Sequence, residues 1–300
     1  MTSPEETAGT DPVLDRLAAR PFRIERPAEQ RIPFVFASPH SGRFYPPGFL
    51  ASSRLGLLSL RRSEDAYVDE LFADAVTLGA PLIAAEFPRV YIDANRAPAE
   101  LDNQMFEPAL HLDVDTASPR VAAGLGVIPR IVRDGAEIYR SKLPPEEAQR
   151  RITRFYRPYH AALANLIEET FRRFGTAVVV DCHSMPSGAL APSIVFGDRH
   201  GASASAALLR QAETAFEKQG FTTGRNTPYA GGFTTYHYAQ REAGIHTFQI
   251  EVNRGLYLDE EQVERGARFA EMRGRITAAL TQLAGLDIAL LRPAKPLAAE

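Results

Sequence analysis

Six short apolar runs, separated by longer segments with helical periodicity, constrain the fold of this 300-residue chain more than any other feature. Each run is continuously apolar, which is typical of strands covered on both faces. We predict strands at 34–37, 82–85, 90–92, 177–180, 194–196 and 247–250. We predict helices over about 64–78, 146–174, 203–219 and 259–284. A bend or break is expected at Pro158. This alternation predicts a three-layer α/β/α fold with a mostly parallel, mixed central sheet.

The chain shows no repeat, low-complexity stretch or flexible linker, so we expect one α/β domain over 15–288 between tails at 1–14 and 289–300. Its 34 basic and 37 acidic residues give a net charge of −3, which offers no general reason to bind nucleic acid or an anionic membrane. The single cysteine, Cys182, permits no internal disulfide and fits a reducing cytosol. The first residues are acidic and polar, unlike a signal peptide, and no apolar run could span a bilayer. We therefore expect a cytoplasmic protein.

Polar clusters follow five of the predicted strands directly. The clusters begin at His40, Asp93, Asp181, Gly197 and Glu251. In open α/β sheets the ligand crevice lies outside the carboxyl ends of the strands. We therefore expect these clusters to form one composite site.

His40 and His183 are candidate metal ligands because each follows or ends an apolar run and each precedes a serine. The alternative for each is a hydrogen-bonded core histidine. A hydrolytic zinc site needs three protein ligands and an open position for water, and two histidines with a carboxylate are a common set. Asp65, at the start of a predicted helix, is the expected third ligand, and Glu64 could replace it. Both could instead be first-turn acids that stabilise the helix dipole.

Glu251 ends an apolar strand, where a charge is costly unless it is paired or used. We predict that it is the general base, with an ion pair to Arg254 as the alternative. Asp181 shares a strand face with His183 and could orient that ligand, whereas Cys182 points to the opposite face and is expected to be a buried thiol.

The pair Asn95 and Arg96 is a candidate clamp for a substrate carboxylate, since guanidinium groups bind carboxylates bidentately. Competing candidates are Arg89, Arg130, Arg225 and Arg254. His237, in a glycine-rich loop, could stabilise a carbonyl oxygen that gains charge, or could be an exposed residue of a hairpin. The serine-hydrolase elbow, the H-E-x-x-H motif and the P-loop are all absent from the sequence.

Eight motifs occur in order along the chain: SPHSGRFYP, RRSEDAYVDELF, PRVYIDANR, VIPR, PYH, DCHSM, GDRHG and GGFTTYHYAQREAGIHTFQIEVNRGLY. Together they resemble the N-formylglutamate amidohydrolase family over about residues 33–258. The resemblance implies a phosphorylase/hydrolase-like fold related to the zinc carboxypeptidases. It also implies metal-dependent hydrolysis of N-formyl-L-glutamate to glutamate and formate, a step of one histidine-degradation route.

Matched motif by motif, the resemblance implies His40, Asp65 and His183 as metal ligands and Glu251 as base. The carboxypeptidases take two ligands from H-x-x-E, and here the residue three after His40 is Arg43, so the third ligand must come from elsewhere. The related carboxypeptidases also carry an Asn-Arg pair at the corresponding place, which supports the predicted clamp.

The sequence thus predicts a metal-dependent amidohydrolase for a small N-acyl amino acid, with zinc as the expected ion. Arg130 and Arg225 are retained with Asn95 and Arg96 as substrate-binding candidates. Two alternatives remain: another N-acyl amino-acid deacylase or peptidoglycan amidase on the same fold, and a non-catalytic binding protein with a relic site. A relic site predicts that Glu251 faces away from the histidines.

Overall fold

The computed structural model describes residues 11–110, 114–115, 117–132, 134–188, 190–287, 289 and 291–292. Within these residues, seven strands form one mixed sheet in the order β1-β3-β2-β4-β7-β5-β6. They are β1 (Phe22–Glu25), β2 (Phe34–Ser38), β3 (Leu82–Ala85), β4 (Ala177–Met185), β5 (Ile194–Gly197), β6 (Thr223–Arg225) and β7 (Ile245–Asn253). A separate small hairpin consists of β8 (Leu258–Asp259) and β9 (Glu264–Arg265).

Four central strands, β3, β2, β4 and β7, run parallel to one another. The outer strands reverse direction, because β1 is antiparallel to β3 and β5 is antiparallel to β7. Strand β6 then runs parallel to β5. The carboxyl ends of β2, β4 and β7 therefore meet at one edge, while those of β5 and β6 lie at the other.

Helices cover both faces of the sheet. They are α1 (Pro12–Ala19), α2 (Pro47–Ser52), α3 (Leu57–Arg61), α4 (Val68–Leu71), α5 (Ala75–Leu78), α6 (Pro119–Ala122), α7 (Pro145–Arg151), α8 (Arg157–Phe174), α9 (Ala206–Glu217), α10 (Phe233–His237) and α11 (Phe269–Ala284). Phe34 and Phe36 of β2 belong to the core shared with α4, α9 and α11, and Val35 and Ala37 to the core shared with α7 and α8. Successive strand residues point to opposite faces, so two cores require an unbroken apolar run. The predicted three-layer α/β/α fold is confirmed.

Two of the predicted helices are interrupted. The helix expected over 64–78 consists of α4 and α5, and it begins late because Tyr67 has the left-handed backbone angle φ of 62°. The segment expected at 146–174 contains α7, a π-helical turn (Ile152–Tyr156) and α8. Pro158 lies just after the π-helical turn, where its missing amide hydrogen removes a helical hydrogen bond.

The other two predicted helices are shorter than expected. Helix α9 begins at Ala206, where the Ser205 hydroxyl accepts a hydrogen bond from the amide of Leu208 at 3.2 Å. Helix α11 begins only at Phe269, because the residues before it form the β8–β9 hairpin.

The strand predicted at 90–92 is wrong. The amides of Tyr91 and Ile92 both donate to the carbonyl of Pro88, at 2.9 and 3.2 Å, and close a turn. All three residues of the run are nevertheless buried. The three-residue apolar run therefore indicated burial correctly, but it did not indicate that the residues pair in a sheet. Strands β1 and β6 were missed because their residues are only partly buried and lack a continuous apolar run.

Parts of both segments predicted as tails are described by the structure. Residues 1–10 and 293–300 lie outside the described residues, but Asp11 caps α1 by accepting hydrogen bonds from the amides of Val13 and Leu14. At the other end, Leu291 is buried, and its carbonyl accepts hydrogen bonds from Thr176 and His246. Among the described helices, none is both long and apolar enough to cross a bilayer.

We expect Leu208→Ala to lower the free energy of unfolding by about 2–5 kcal/mol, because Leu208 is fully buried between α9 and the sheet. The matched variant Leu190→Ala should change it by less than about 0.5 kcal/mol, since Leu190 is fully exposed. Urea denaturation measures both values. Equal losses in the two variants would contradict the packing of α9 against the sheet.

Candidate active site

A cavity of about 570 Å³ lies at the carboxyl ends of β2, β4 and β7. His40 follows β2, and His183 of β4 lies beside Glu251 of β7 in the strand register. Polar residues lining the cavity include His40, Asp65, Arg89, Asp93, Asn95, Arg96, Arg120, His183, Gln249, Glu251 and Arg254. The parallel register of the central strands therefore brings together residues that are far apart in the chain.

His40, His183 and Asp65 converge on one point of this cavity. Asp65 Oδ2 lies 3.2 Å from Nδ1 of His40 and 2.9 Å from Nδ1 of His183. All three residues are buried, and their ligand atoms lie within 4.8 Å of one another. A tetrahedral zinc ion with bonds of about 2.0–2.1 Å holds its ligand atoms about 3.3 Å apart. The spacing is therefore suited to a three-ligand metal centre.

Two further carboxylates hold the imidazole rings from behind. Asp93 Oδ1 lies 2.7 Å from Nε2 of His40, and Asp181 Oδ2 lies 2.8 Å from Nε2 of His183. Because a carboxylate accepts, each Nε2 donates a proton, and each neutral ring then presents a lone pair on Nδ1. These lone pairs and the oxygen of Asp65 repel one another unless a cation lies among them. The donor set therefore fits a divalent metal ion.

The electrostatics of the cluster favour positive charge at the same point. Burial lowers the pKa of His183, but Asp181 and Asp65 outweigh burial and hold that pKa well above its ordinary value. Burial raises the pKa of Asp65, but the neighbouring imidazoles of His183 and His40 hold it well below its ordinary value. A proton and a metal ion compete for the same lone pairs. The field that favours the proton therefore also favours the cation.

The second oxygen of Asp65 fixes the orientation of its carboxylate. Arg254 Nη2 donates to Asp65 Oδ1 at 2.8 Å, and Arg254 Nε donates to the hydroxyl of Ser184 at 3.0 Å. Glu64, the alternative third ligand, instead accepts a hydrogen bond from the hydroxyl of Tyr45 at 2.7 Å. The structure therefore brings Asp65, and not Glu64, to the two histidines.

Glu251 lines the same cavity as the histidines. Its Oε1 accepts a hydrogen bond from Gln249 Nε2 at 3.2 Å. Burial raises the pKa of Glu251 to about 7, against the opposing effect of His183. A carboxyl group with a pKa near neutrality can both accept and return a proton. Arg254, the ion-pair partner weighed for Glu251, contacts Asp65 instead.

Asn95 and Arg96 both line the cavity, but they differ in whether their side-chain polar atoms already have hydrogen-bond partners. Asn95 Nδ2 donates to Asp181 Oδ2 at 3.0 Å, and Asn95 Oδ1 accepts from the amide of Thr234 at 2.8 Å. Both ends of the Asn95 amide are therefore occupied, so it positions Asp181. Among the described residues, Arg96 donates only to the carbonyl groups of Leu125 and Asn95, so its other N–H groups have no acceptor there. Of the predicted clamp, the guanidinium is the free part.

Two side chains of the long helical segment hold the backbone on either side of Asn95. The Tyr156 hydroxyl donates to the carbonyl of Arg96 at 2.8 Å, and His160 Nε2 donates to the carbonyl of Ala94 at 2.9 Å. The hydroxyl of Tyr238 lies 2.8 Å from Nδ1 of His160, which accepts from it. Burial lowers the pKa of His160 to about 4, so the ring stays neutral. His160 therefore positions Asn95 and Arg96.

Three predicted site residues do not line the cavity. Arg130 pairs with Asp102 at 3.0 Å, and Arg225 donates to Glu213 at 2.8 Å. His237 is exposed and stacks on a neighbouring aromatic ring. Arg225 ends a strand that runs against the central four, so it reaches the opposite edge of the sheet. The carbonyl-stabilising role predicted for His237 is not supported by this position.

The cluster that follows β5 is also placed away from the site. Asp198 Oδ1 accepts hydrogen bonds from Asn226 Nδ2 at 2.7 Å and from the amide of Gly201 at 3.1 Å. The expectation of five strands contributing to one edge was therefore wrong for this cluster, because β5 is antiparallel to β7. The polar cluster from Asp93 to Arg96 does reach the site, but it follows a turn.

Sequence reasoning missed three residues of the cavity. Asp93 was recognised as part of a polar cluster, but its contact with His40 depends on a turn that the sequence does not reveal. Gln249 is an alternating residue of β7 and could have been assigned to the face of Glu251. Arg120 lies on the four-residue helix α6 and carries no sequence signal.

Known proteins resemble this chain over most of its length. A family model described as N-formylglutamate amidohydrolase matches residues 32–258. The N-formylglutamate deformylase of Pseudomonas aeruginosa is 29% identical over 244 residues, covering 77% of this chain and 84% of the relative. The enzyme of the same name from Pseudomonas putida is 28% identical over 246 residues, with the same shares of both chains.

Solved structures agree with this relationship. N-formylglutamate amidohydrolase from Ralstonia eutropha JMP134 is 34% identical, with a TM-score of 0.83 over 90% of this chain and 98% of the other. A gene product of Agrobacterium tumefaciens shares the fold, with a TM-score of 0.62, 19% identity and coverage of 90% and 99%. The chain belongs to the N-formylglutamate amidohydrolase family. The resemblance drawn from the motifs, and the prediction of an amide hydrolase, are confirmed.

We expect Gly232→Ala to displace Asn95, because a Cβ at Gly232 would lie 2.5 Å from the Asn95 amide. The free energy of unfolding should fall by about 1–3 kcal/mol, and a crystal structure of the variant should show Asn95 moved away from Asp181. Gly274→Ala is the matched control: no other residue would lie within 4 Å of the added methyl group, and the change should stabilise α11 by about 0.5–1 kcal/mol. An unmoved Asn95 in the first variant would contradict the expected clash.

Proposed function

We propose that this chain hydrolyses N-formyl-L-glutamate, or a similar small N-acyl amino acid, with the help of a bound divalent ion. The products from the formyl substrate are the free amino acid and formate. We also propose zinc as the ion, a cytoplasmic location and a role in histidine degradation, as the family resemblance implies. The observation that carries the proposal is the convergence of His40, Asp65 and His183 in one cavity with Glu251 and Arg96.

His40, Asp65 and His183 would hold the ion through two imidazole nitrogens and one carboxylate oxygen. When bound, a divalent ion polarises the acyl carbonyl and lowers the pKa of water from 15.7 towards about 7. Asp93 and Asp181 keep both rings in the tautomer that leaves Nδ1 free.

Glu251 is placed to accept the proton of the attacking water. It lies beside His183 in the strand register and lines the cavity, and no arginine in the described ranges forms an ion pair with it. The same carboxyl group can return the proton to the leaving nitrogen, which departs as the amine of the free amino acid. Gln249 holds the carboxylate in position through one of its oxygens.

Arg96 is placed to bind a substrate carboxylate. Its guanidinium faces the cavity with N–H groups that no described carboxylate occupies. His160 and Tyr156 fix the backbone that carries it. A substrate held at its carboxylate end presents its acyl group in one orientation, which lowers the entropic part of the barrier.

The alternatives receive less support. A relic site predicted that Glu251 faces away from the histidines, and Glu251 instead lines the same cavity. A cavity of about 570 Å³ falls within the size range of small-molecule sites, and its arginines favour a small acidic ligand over a wall polymer.

The proposal is tested by formate release. We expect the purified protein to release formate from N-formyl-L-glutamate faster than from N-formyl-L-aspartate, and to show little deacylation of N-acetyl-L-glutamate. A chelator should abolish the activity and added zinc should restore it. Absence of formate from both formyl substrates would refute the proposed function, and full activity after metal removal would refute the metal requirement.

We expect Glu251→Gln to lower kcat at least 100-fold, because an amide cannot accept the proton of the attacking water. The metal content measured by elemental analysis should stay the same, since Glu251 is not among the three converging donors. His183→Ala is the comparison variant and should lose both metal and activity. A fully active Glu251→Gln protein would eliminate Glu251 as the base.

A further inference from the structure

Four arginines line the cavity, and two of them are already neutralised. Arg89 donates to Asp93 at 3.0 Å, and Arg254 donates to Asp65 at 2.8 Å. Each of these guanidinium groups therefore contacts a carboxylate of the histidine cluster. Their charges serve the candidate metal centre and are not available to a ligand.

Arg96 and Arg120 are different, because neither forms an ion pair with any carboxylate in the described part of the chain. Glu100 is near Arg96, but its Oε1 accepts from the hydroxyl of Ser118 at 2.6 Å and its Oε2 accepts from the amide of Ala97 at 2.8 Å. Glu100 thus anchors the turn that follows Arg96, and Asp93, the other acid near Arg96, forms its ion pair with Arg89 at 3.0 Å. In the described part of the chain, neither guanidinium group has a directly paired carboxylate.

The backbone ties these two arginines to the same loop. The Leu125 amide donates to the carbonyl of Arg120 at 2.8 Å, and the Leu125 carbonyl accepts from Arg96 Nε at 3.0 Å. Ser118, which precedes α6, bonds to Glu100 in the turn after Arg96. Burial lowers the pKa of Arg96, and the charges of Arg89 and Arg120 lower it further, against the opposing charges of Asp93 and Glu100. The two cations are therefore close enough to repel each other.

Two cations that line the cavity lack a carboxylate of their own among the described residues. Asp65 and Asp93 are matched by Arg254 and Arg89. Two positive charges, those of Arg96 and Arg120, are left over. Like charges gathered without a partner cost free energy, and an anionic ligand with two charges relieves that cost.

We propose that Arg120 binds the second carboxylate of the substrate and, together with Arg96, makes the site selective for dianionic N-formyl amino acids. This inference rests on the proposed function, because it specifies the substrate of the same site. One arginine takes the α-carboxylate and the other takes the side-chain carboxylate. Monoanionic N-formyl amino acids lose one of these contacts.

The test combines a substitution of one arginine with removal of one carboxylate from the substrate. We expect Arg120→Met to lower kcat/KM for N-formyl-L-glutamate about 10- to 100-fold, the usual effect of losing a charge-assisted hydrogen bond. Two substrates with one carboxylate amidated, N-formyl-L-glutamine and N-formyl-L-glutamic acid α-amide, serve as comparisons. For one of them the substitution should change kcat/KM less than about threefold, because the partner carboxylate is already missing. Arg96→Met should show the same insensitivity towards the other.

Binding is measured separately in the Glu251→Gln background, by calorimetric titration with N-formyl-L-glutamate. Arg120→Met should raise Kd about 10- to 100-fold, and Arg120→Lys less. Arg210→Met, which removes an exposed arginine of α9, is the charge-matched control and should leave Kd unchanged.

The outcomes separate this inference from the proposed function. An unchanged Kd in Arg120→Met, or an equal loss for all three substrates, overturns the role of Arg120 even if the wild-type protein releases formate. Absence of formate from the wild-type protein overturns the proposed function, whereas a Kd that responds to Arg120→Met still supports a dianion site.

Discussion

The mutual repulsion of three electron-rich groups is the constraint on which the rest of this site depends. Nδ1 of His40, Nδ1 of His183 and Oδ2 of Asp65 face one another in a buried space. Such a group is stable only with protons or a cation at its centre. The surrounding structure keeps the donors in place regardless, since Asp93 and Asp181 hold the rings from behind. The orientation of both imidazole rings is therefore built into the fold.

Much of this site could be predicted from sequence, because its central residues lie next to recognisable strands. Asp181 and His183 belong to the same buried strand, and Glu251 lies near the end of another. Parallel strands align their carboxyl ends at one edge of the sheet. A polar cluster directly after an apolar run therefore predicted that residues far apart in the chain meet at that edge. Asp65 could also be selected, although the sequence left Glu64 open and contact with Tyr45 decides between them.

The remainder could not be predicted because it depends on long-range direction and packing. The run that precedes Asp198 looks like every other buried strand, yet its antiparallel pairing sends that residue to the far edge. Arg225 follows it there for the same reason. Asp93 reaches His40 from a turn, and Arg120 reaches the cavity from a four-residue helix. Neither the apolar periodicity of the sequence nor the spacing of its motifs predicts that a turn or a short helix brings a side chain to the cavity.

The antiparallel pairing of β5 with β7 also limits which strands contribute residues to the cavity. Beyond β7 no further described strand directs its carboxyl end towards the cavity, so the strands that contribute to the candidate site are β2, β4 and β7, beside Asp65 and the turn at Asp93. The remaining wall comes from loops and the short helix α6. The strands therefore hold the histidines and Glu251 in place, while loops and a short helix carry Arg120 and Gly232. Side chains in these segments can therefore be changed without moving the strands that hold the histidine cluster.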